Sequence, residues 1–278
     1  MDLRAGKTAI LLGATAVLVL VALKRPGIAG LLAADGMESP AEANEPDAAS
    51  TPVLVELFTS EGCSSCPPAD ELLSRLGRTQ PVHGADIIAL EEHVDYWDSL
   101  GWKDPFSSQV ATVRQNEYGH AFGGSQVYTP QMVVDGRTEF VGSSDSDALR
   151  AIRLASKERK PAVQLSWEAG EILLIHVDPL GGTTNADGKQ FILVVAENML
   201  HSDVKRGENS GRALEHNGVV RQLLPVGKID ASPGGFSARV PVQLDREWNR
   251  ANLRAVVFAQ ERGSRHVLAA GAIPFPVS

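Results

Sequence analysis

The chain has 278 residues, of which 26 are Lys or Arg and 34 are Asp or Glu, and its formal net charge is −8. An acidic chain lacks the basic surface that nucleic-acid phosphates require, which excludes a nucleic-acid-binding protein. Its two cysteines are too few for a small secreted domain that is held together by disulfides. The length therefore predicts two domains, each with a hydrophobic core of its own.

Residues 1–34 are interpreted as a targeting segment. Basic residues flank an apolar run at residues 8–23, which is short for a membrane-spanning helix of about 20 residues and long for the apolar part of a signal peptide. We expect either a signal peptide or an anchor in the inner membrane, so the protein is exported to the periplasm or secreted. Residues 35–52 are acidic and rich in proline, which predicts a disordered linker.

Residues 53–158 alternate between strand and helix patterns. The expected elements, in chain order, are a strand at 53–58, a helix from Pro68, a strand at 86–93, a helix from Asp104, strands at 131–134 and 138–141 around an Asp135-Gly136 turn, and a helix at 144–156. Hydrophobic periodicity and turn residues support each of them. The order β-α-β-α-β-β-α predicts a thioredoxin-like domain.

Residues 161–278 contain strand patterns without a convincing long helix. Gly, Asn and Pro residues separate seven runs: 163–167, 171–177, 191–197, 219–224, 236–242, 253–260 and 266–273. Short strands at this spacing are typical of an antiparallel β-sandwich-like domain. The predicted fold class is therefore α/β plus β.

Both cysteines, Cys63 and Cys66, belong to one Cys-x-x-Cys motif between the first strand and the first helix. A helix N terminus lowers the pKa of a nearby thiol, which favours exchange with disulfides. The Cys-Ser-Ser-Cys dithiol predicts a thiol-disulfide oxidoreductase without a cofactor, with Cys63 as the nucleophile and Cys66 as the resolving cysteine. Its partners would be protein thiols or disulfides and a redox partner protein. Pro67 disfavours a helical conformation at Cys66, so we expect the helix to begin after the motif.

Other residues are candidates for a functional role beside the dithiol. Thr129 and Pro130 precede a central strand, where thioredoxin-like folds place a cis proline that positions substrate. Glu56 is interpreted either as a buried proton acceptor below Cys66 or as a solvent-exposed edge residue. The Trp-rich loop (residues 93–104) either contacts a ligand or covers the core. Its candidate substrate-positioning residues are His93, Asp95, Trp97 and Trp102.

A non-enzymatic binding module is the alternative function. Thiolates prefer soft ions, so Cys63 and Cys66 with His93 would bind Cu(I). A structural zinc site is less favoured, because it usually needs two cysteine pairs. The module would otherwise bind a partner through the Trp-rich loop and the β domain. A polar loop at residues 206–212 is expected to contact the first domain, to bind a ligand or to serve only as a connection.

Four blocks occur in order along the chain: VELFTSEGCSSCPPAD, HVDYWDSLGWKDPF, YTPQMVVDGR and RGENSGRALEHNGVVR. Together they resemble a family of bacterial proteins of unassigned function, which are expected to be secreted and to have a thioredoxin-like N-terminal domain. The resemblance covers most of residues 53–260. It implies this fold and an export route, and it points to Cys63 and Cys66 as the site.

Overall fold

The computed structural model describes residues 50–124, 126–169, 171–180, 188–229 and 235–276. The predicted targeting segment and most of the predicted linker lie outside these residues. Thr51 and Pro52, at the end of that linker, instead begin the first strand, because they pair with Ala85 and Asp86. Within the described ranges, no helix is both long and apolar enough to cross a membrane.

The first part of the chain has the predicted order of elements. They are β1 (Thr51–Thr59), α1 (Pro67–Thr79), β2 (Ala85–His93), α2 (Gln109–Ala121), β3 (Gln131–Val134), β4 (Thr138–Val141) and α3 (Asp145–Ala155). The second helix begins later than Asp104, the predicted start. Ser108 caps it by accepting a hydrogen bond from the Val110 amide. Asp104 accepts the corresponding hydrogen bond from the Phe106 amide, but only a turn follows it.

All seven strands predicted in the second part are present. The elements are β5 (Val163–Glu168), β6 (Ile172–Val177), β7 (Lys189–Glu197), β8 (Leu200–Asp203), β9 (Ala213–His216), β10 (Val219–Ile229), β11 (Phe236–Pro241), a 3-10 turn (Arg250–Asn252), β12 (Leu253–Glu261) and β13 (Val267–Pro274). The hairpin of β8 and β9 was not predicted, because its strands have only four residues each and, unlike β3 and β4, no short turn joins them.

Strands from both parts of the chain share one sheet. Its eight strands are ordered β13-β12-β7-β10-β2-β1-β3-β4, and β10 joins β2 in parallel at the pair Val219 and Glu91. A second sheet has the order β11-β6-β5. The larger sheet therefore crosses the predicted boundary between the segments 53–158 and 161–278, whereas the smaller sheet belongs to the second segment alone. Local periodicity indicates where strands lie but carries little information about distant pairing partners.

The two parts of the chain also share a hydrophobic core. Leu54, Ile88 and Leu90, from β1 and β2, cluster with Val256 and Phe258 from β12. The opposite face of β1 and β2 packs on α1 and α3. The three-stranded sheet packs on β7 and β12 in a further core. These shared contacts fix the position of the second part of the chain against β1 and β2.

The predicted hairpin turn at Asp135 and Gly136 is confirmed, and both residues have positive φ, 50° and 63°. A Cβ atom at Gly136 would overlap the backbone oxygen of Arg265.

We expect Gly136→Ala to lower the free energy of unfolding by at least about 2 kcal/mol, because alanine is strained in the left-handed conformation and because its Cβ atom would overlap this oxygen. Urea denaturation measures the change. Gly84→Ala is the matched control, because Gly84 has φ 78° but open space around it. Equal losses in the two variants would contradict the expected overlap.

Candidate functional site

The two cysteines form a disulfide at the N terminus of α1. Cys63 and Cys66 are 1% and 0% exposed, and their Cα atoms are 5.4 Å apart. The helix begins at Pro67, after the motif, as predicted. Cys66 nevertheless has helical angles, φ −78° and ψ −40°, against the expectation from Pro67. The turn closed by the Cys66 amide on the Cys63 carbonyl, at 3.2 Å, continues directly into α1 and holds this conformation.

A loop from the second part of the chain covers the motif. In this covering loop (residues 206–212), Asn209 Nδ2 donates hydrogen bonds to the carbonyls of Glu61 and Cys63, at 2.8 and 2.9 Å. The Ser64 amide donates to Glu208 Oε2 at 3.0 Å. Asn209 itself is buried. The expected contact between this loop and the first part of the chain is therefore confirmed, and it restricts access to Cys63.

Thr129 and Trp97 lie together beside the dithiol motif. The Thr129–Pro130 peptide bond is cis, as predicted. Trp97 Nε1 donates to Thr129 Oγ1 at 2.8 Å, and the Trp97 side chain packs against Gly62. Trp97 thus connects the residue before the cis proline with the residue before Cys63.

The remaining residues of the Trp-rich loop hold the loop in place. Trp102 Nε1 donates to Glu61 Oε2 at 2.6 Å, two residues before Cys63 in the chain. Asp95 Oδ1 accepts a hydrogen bond from Thr112 Oγ1 at 2.6 Å, which ties the loop to α2. The Trp102 indole therefore packs beside the dithiol motif, whereas Asp95 has a role in anchoring.

A buried cluster of acids and histidines lies next to the motif. His93 contacts Asp104 Oδ2 through Nδ1 at 2.7 Å and Glu91 Oε1 through Nε2 at 3.2 Å. His216 contacts Glu91 Oε1 through Nδ1 at 2.6 Å and Glu61 Oε1 through Nε2 at 3.3 Å. All five side chains are buried. This acid–histidine cluster joins β2, the dithiol motif, the Trp-rich loop and β9.

The pairings in the cluster shift the pKa values of its members. Burial alone would lower the pKa of both histidines. Asp104 and Glu91 outweigh burial at His93 and hold its pKa well above the usual value. Glu91 and Glu61 raise the pKa of His216 to about 10. Burial would raise the pKa of Glu91, but the two histidines lower it to about 2. At neutral pH the histidine protons and the carboxylate charges therefore stabilise each other.

Asp70 is a further buried acid, on α1 one helical turn after Cys66. Its Oδ1 accepts a hydrogen bond from Thr59 Oγ1 at 2.6 Å. Burial, and then the negative charge of Glu91, raise the pKa of Asp70 to about 7. Residues four apart on a helix share one face, so Asp70 and Cys66 lie on the same side of α1. Asp70, rather than Glu56, is therefore the buried acid on the helix face that Cys66 shares.

Glu56 is buried on the other side of β1. Its neighbours Val55 and Leu57 pack in the core with α1, and alternate residues of a strand face opposite ways. Glu56 accepts hydrogen bonds from Arg114 Nε and Tyr118 Oη, both at 2.5 Å. Burial would raise its pKa, but Arg114 lowers it below the usual value. Neither an exposed edge residue nor a proton acceptor below Cys66 agrees with this position.

The alternative Cu(I) site at Cys63, Cys66 and His93 is not assembled in this structure. The two sulfurs are joined to each other, and both ring nitrogens of His93 contact carboxylates. Within the described part of the chain, the group of three ligand-type residues found close together is instead Glu91, His93 and His216.

Sequence reasoning missed several residues of the site: Glu61, Asp70, Glu91, Asp104, Asn209 and His216. Glu61 and Asp70 flank the dithiol motif in the chain, and Glu91 lies two residues from His93 on one face of β2, but only the fold brings them together with Asp104, Asn209 and His216. One feature of the sequence could have identified most of them. Three of the four sequence blocks that carry the family resemblance contain most of these residues, so their polar positions were candidates.

Comparisons with known proteins give a family and a fold. The family model described as "Protein of unknown function (DUF1223)" matches residues 54–260. A crystal structure of a protein from Agrobacterium tumefaciens is similar at 26% identity and a TM-score of 0.65, over 82% of this chain and 96% of that chain. HBP35 of Porphyromonas gingivalis is similar in fold alone, at 13% identity and a TM-score of 0.62, over 83% of this chain and 77% of that chain. No protein of curated function matches the sequence.

Proposed function

Because the chain belongs to the DUF1223 family of proteins of unknown function, we propose a function from its own site: an extracytoplasmic thiol-disulfide oxidoreductase. One observation carries the proposal. The two cysteines of the chain form a disulfide within a Cys-x-x-Cys motif that leads directly into a helix. A bridge across two residues closes too small a loop to stabilise the fold appreciably, so chemistry is the better explanation for the pair.

The elements around the motif support a thioredoxin-like fold for residues 53–158. β1 pairs in parallel with β2 and antiparallel with β3, and β4 continues the sheet. α1 and α3 pack on one face of this sheet, whereas α2 packs on the other face with Phe58 and Val133. A dithiol at the first helix of such a sheet suits exchange chemistry.

The proposed reaction is the transfer of two electrons from a substrate dithiol to the disulfide. A substrate thiolate attacks Cys63 Sγ, the bond between the two protein sulfurs breaks, and Cys66 leaves as a thiolate. The second substrate thiol then attacks the mixed disulfide. The substrate leaves as a disulfide, and its two protons remain on Cys63 and Cys66. The reverse sequence reduces a substrate disulfide.

Asp70 is placed to handle a proton in this exchange. It follows Cys66 by one turn of α1, and its pKa of about 7 lies near neutral pH. A carboxyl with such a pKa can both donate and accept a proton at that pH. Its proposed role is to protonate the Cys66 thiolate as it leaves and to take the proton back in the reverse direction.

The disulfide also suggests the cellular compartment and the partners of the protein. Disulfides persist in oxidising compartments such as the periplasm, which agrees with export by the N-terminal segment. The partners would be proteins with thiols or disulfides, and a second redox protein that restores the starting state. Because Cys63 is buried, we propose that the covering loop moves aside when a substrate binds.

A disulfide-exchange assay with a reduced peptide dithiol tests the function. With the reduced peptide, we expect the wild type to oxidise the peptide and Cys63→Ser to lose the activity. With the oxidised peptide, we expect the free Cys63 thiol of Cys66→Ser to attack the peptide disulfide and to accumulate a mixed disulfide, detected by mass spectrometry. Ser166→Ala is the control, because Ser166 is exposed on β5, outside the site. A wild type as inactive as Cys63→Ser, in both directions of exchange, would refute the proposal and favour the binding module.

A further inference from the structure

Three side chains of the acid–histidine cluster present ligand atoms to one point. Glu91, His93 and His216 each offer one atom, and the three atoms lie within 4.8 Å of one another. Glu91 Oε1 is 3.2 Å from His93 Nε2 and 2.6 Å from His216 Nδ1. Tetrahedral zinc, with bonds of about 2.0–2.2 Å, holds its ligand atoms about 3.3 Å apart. Small side-chain movements would therefore bring the three atoms to zinc-binding distances.

The other nitrogen of each histidine ring already contacts a carboxylate. His93 Nδ1 lies 2.7 Å from Asp104, and His216 Nε2 lies 3.3 Å from Glu61. Histidines that bind metals usually donate their second N–H to such a carboxylate, which orients the lone pair of the first nitrogen toward the metal. Both rings here have that arrangement, with Glu91 on the side where the metal would lie.

The carboxylates behind the histidines are themselves held in place. Asp104 accepts hydrogen bonds from the backbone amides of Glu61 and Phe106, at 2.8 and 2.9 Å. Glu61 Oε2 accepts one from Trp102. The Phe106 ring packs against both histidine rings, with centroids 5.4 and 5.5 Å away. Because hydrogen bonds fix the carboxylates behind the histidines and Phe106 covers both rings, the site is preorganised to bind an ion.

We propose that Glu91, His93 and His216 form a binding site for a divalent transition-metal ion, and that zinc is the ion suited to these donors. Imidazole and carboxylate donors suit zinc, whereas calcium and magnesium prefer oxygen alone. The three buried carboxylates of the cluster need positive charge, and one divalent ion supplies as much as two protonated imidazoles. A protonated cluster without metal is the competing explanation, and the experiment separates the two.

The site does not depend on the proposed thiol exchange. The cysteines stay joined as a disulfide throughout the test, so they offer no thiolates to a metal. Failure of the exchange assay would leave the metal site standing, and failure of metal binding would leave the exchange chemistry standing.

Zinc content and zinc coordination test the proposal. The oxidised protein would be produced in zinc-supplemented medium and desalted, its zinc measured by mass spectrometry and its ligands identified by X-ray absorption. We expect about one zinc per chain, with only nitrogen and oxygen ligands near 2.0–2.2 Å. Less than a fifth of an equivalent, or sulfur at about 2.3 Å, would overturn the proposal.

Variants locate the ion. Glu91→Gln and His216→Gln are expected to lose stoichiometric zinc, and Asp104→Asn to weaken zinc affinity about 10- to 100-fold through His93. His201→Gln is the matched control, since its side chain is 58% exposed on β8. Full zinc content in both Glu91→Gln and His216→Gln would refute the assignment. Should these variants fail to fold, the X-ray absorption spectrum of the wild type decides alone.

Discussion

Replacing Arg114 with methionine is expected to lower the free energy of unfolding by about 3–5 kcal/mol, because the change leaves buried acids without their cation. Arg114 Nε lies 2.5 Å from Glu56 and 3.2 Å from Glu92. Its other nitrogens donate to Tyr118 and Gln260, at 3.0 and 3.2 Å. One side chain on α2 thus connects β1, β2 and β12, which belong to both parts of the chain.

Urea denaturation at pH 7 measures this loss, and Arg150→Met is the matched control. Arg150 pairs with Asp147 on the surface of α3, and its side chain is 69% exposed. Exposed pairs contribute about 1 kcal/mol or less. A loss below about 1 kcal/mol for Arg114→Met would show that Glu56 and Glu92 do not need Arg114. If tryptophan fluorescence and circular dichroism change at the same urea concentration, the described part of the chain unfolds as a single cooperative unit.

Replacing Asn209 with alanine is expected to increase the rate at which a small thiol reduces the disulfide, by roughly 5- to 100-fold. The Asn209 amide holds the covering loop on the dithiol motif through two buried hydrogen bonds to Glu61 and Cys63. Leaving buried carbonyls unpaired costs about 1–3 kcal/mol in the closed state. The open state of the loop gains population by the corresponding factor, and the thiol reaches Cys63 more often.

Stopped-flow reduction by dithiothreitol, followed by thiol titration, gives this rate. Asn116→Ala is the matched control, because Asn116 also donates through Nδ2 to a backbone carbonyl, that of Thr112, but within α2. The control is expected to leave the rate unchanged. An unchanged rate in Asn209→Ala would show that the covering loop does not limit access to the disulfide.

Local patterns were sufficient for most of the elements. The apolar run at 53–58 and the run at 86–93 each predicted a strand that the structure contains, since a strand that is buried on both faces carries a nearly continuous apolar run. The Asp135-Gly136 turn was equally readable, because few residues accept its positive φ angles. The start of α2 was predicted four residues too early. Asp104 and Ser108 each accept a hydrogen bond from the amide two residues later, so both have the local pattern of a helix cap, but the helix follows only Ser108.

The site was predicted where a motif or an unusual local composition marked its residues, as at the dithiol, the Trp-rich loop and the Thr129-Pro130 pair. The spacing of Cys63 and Cys66 was sufficient to place a disulfide between them, and Thr129 and Pro130 were found from the strand that follows. Neither of the two interpretations of Glu56 placed it beside Arg114 and Tyr118, because sequence spacing does not tell which face of β1 meets α1. Asn209 and His216 lie about 150 residues from the motif they contact, and no local pattern connects such positions.

The sequence by itself determined the order of helices and strands, the dithiol and the acidic character of this protein, because propensity, periodicity and charge act over a few residues. Only the tertiary structure decided that β10 pairs with β2, that the covering loop lies over Cys63, and that two histidines share Glu91. These contacts join distant positions, and they form only when the shared sheet and core bring both parts of the chain together.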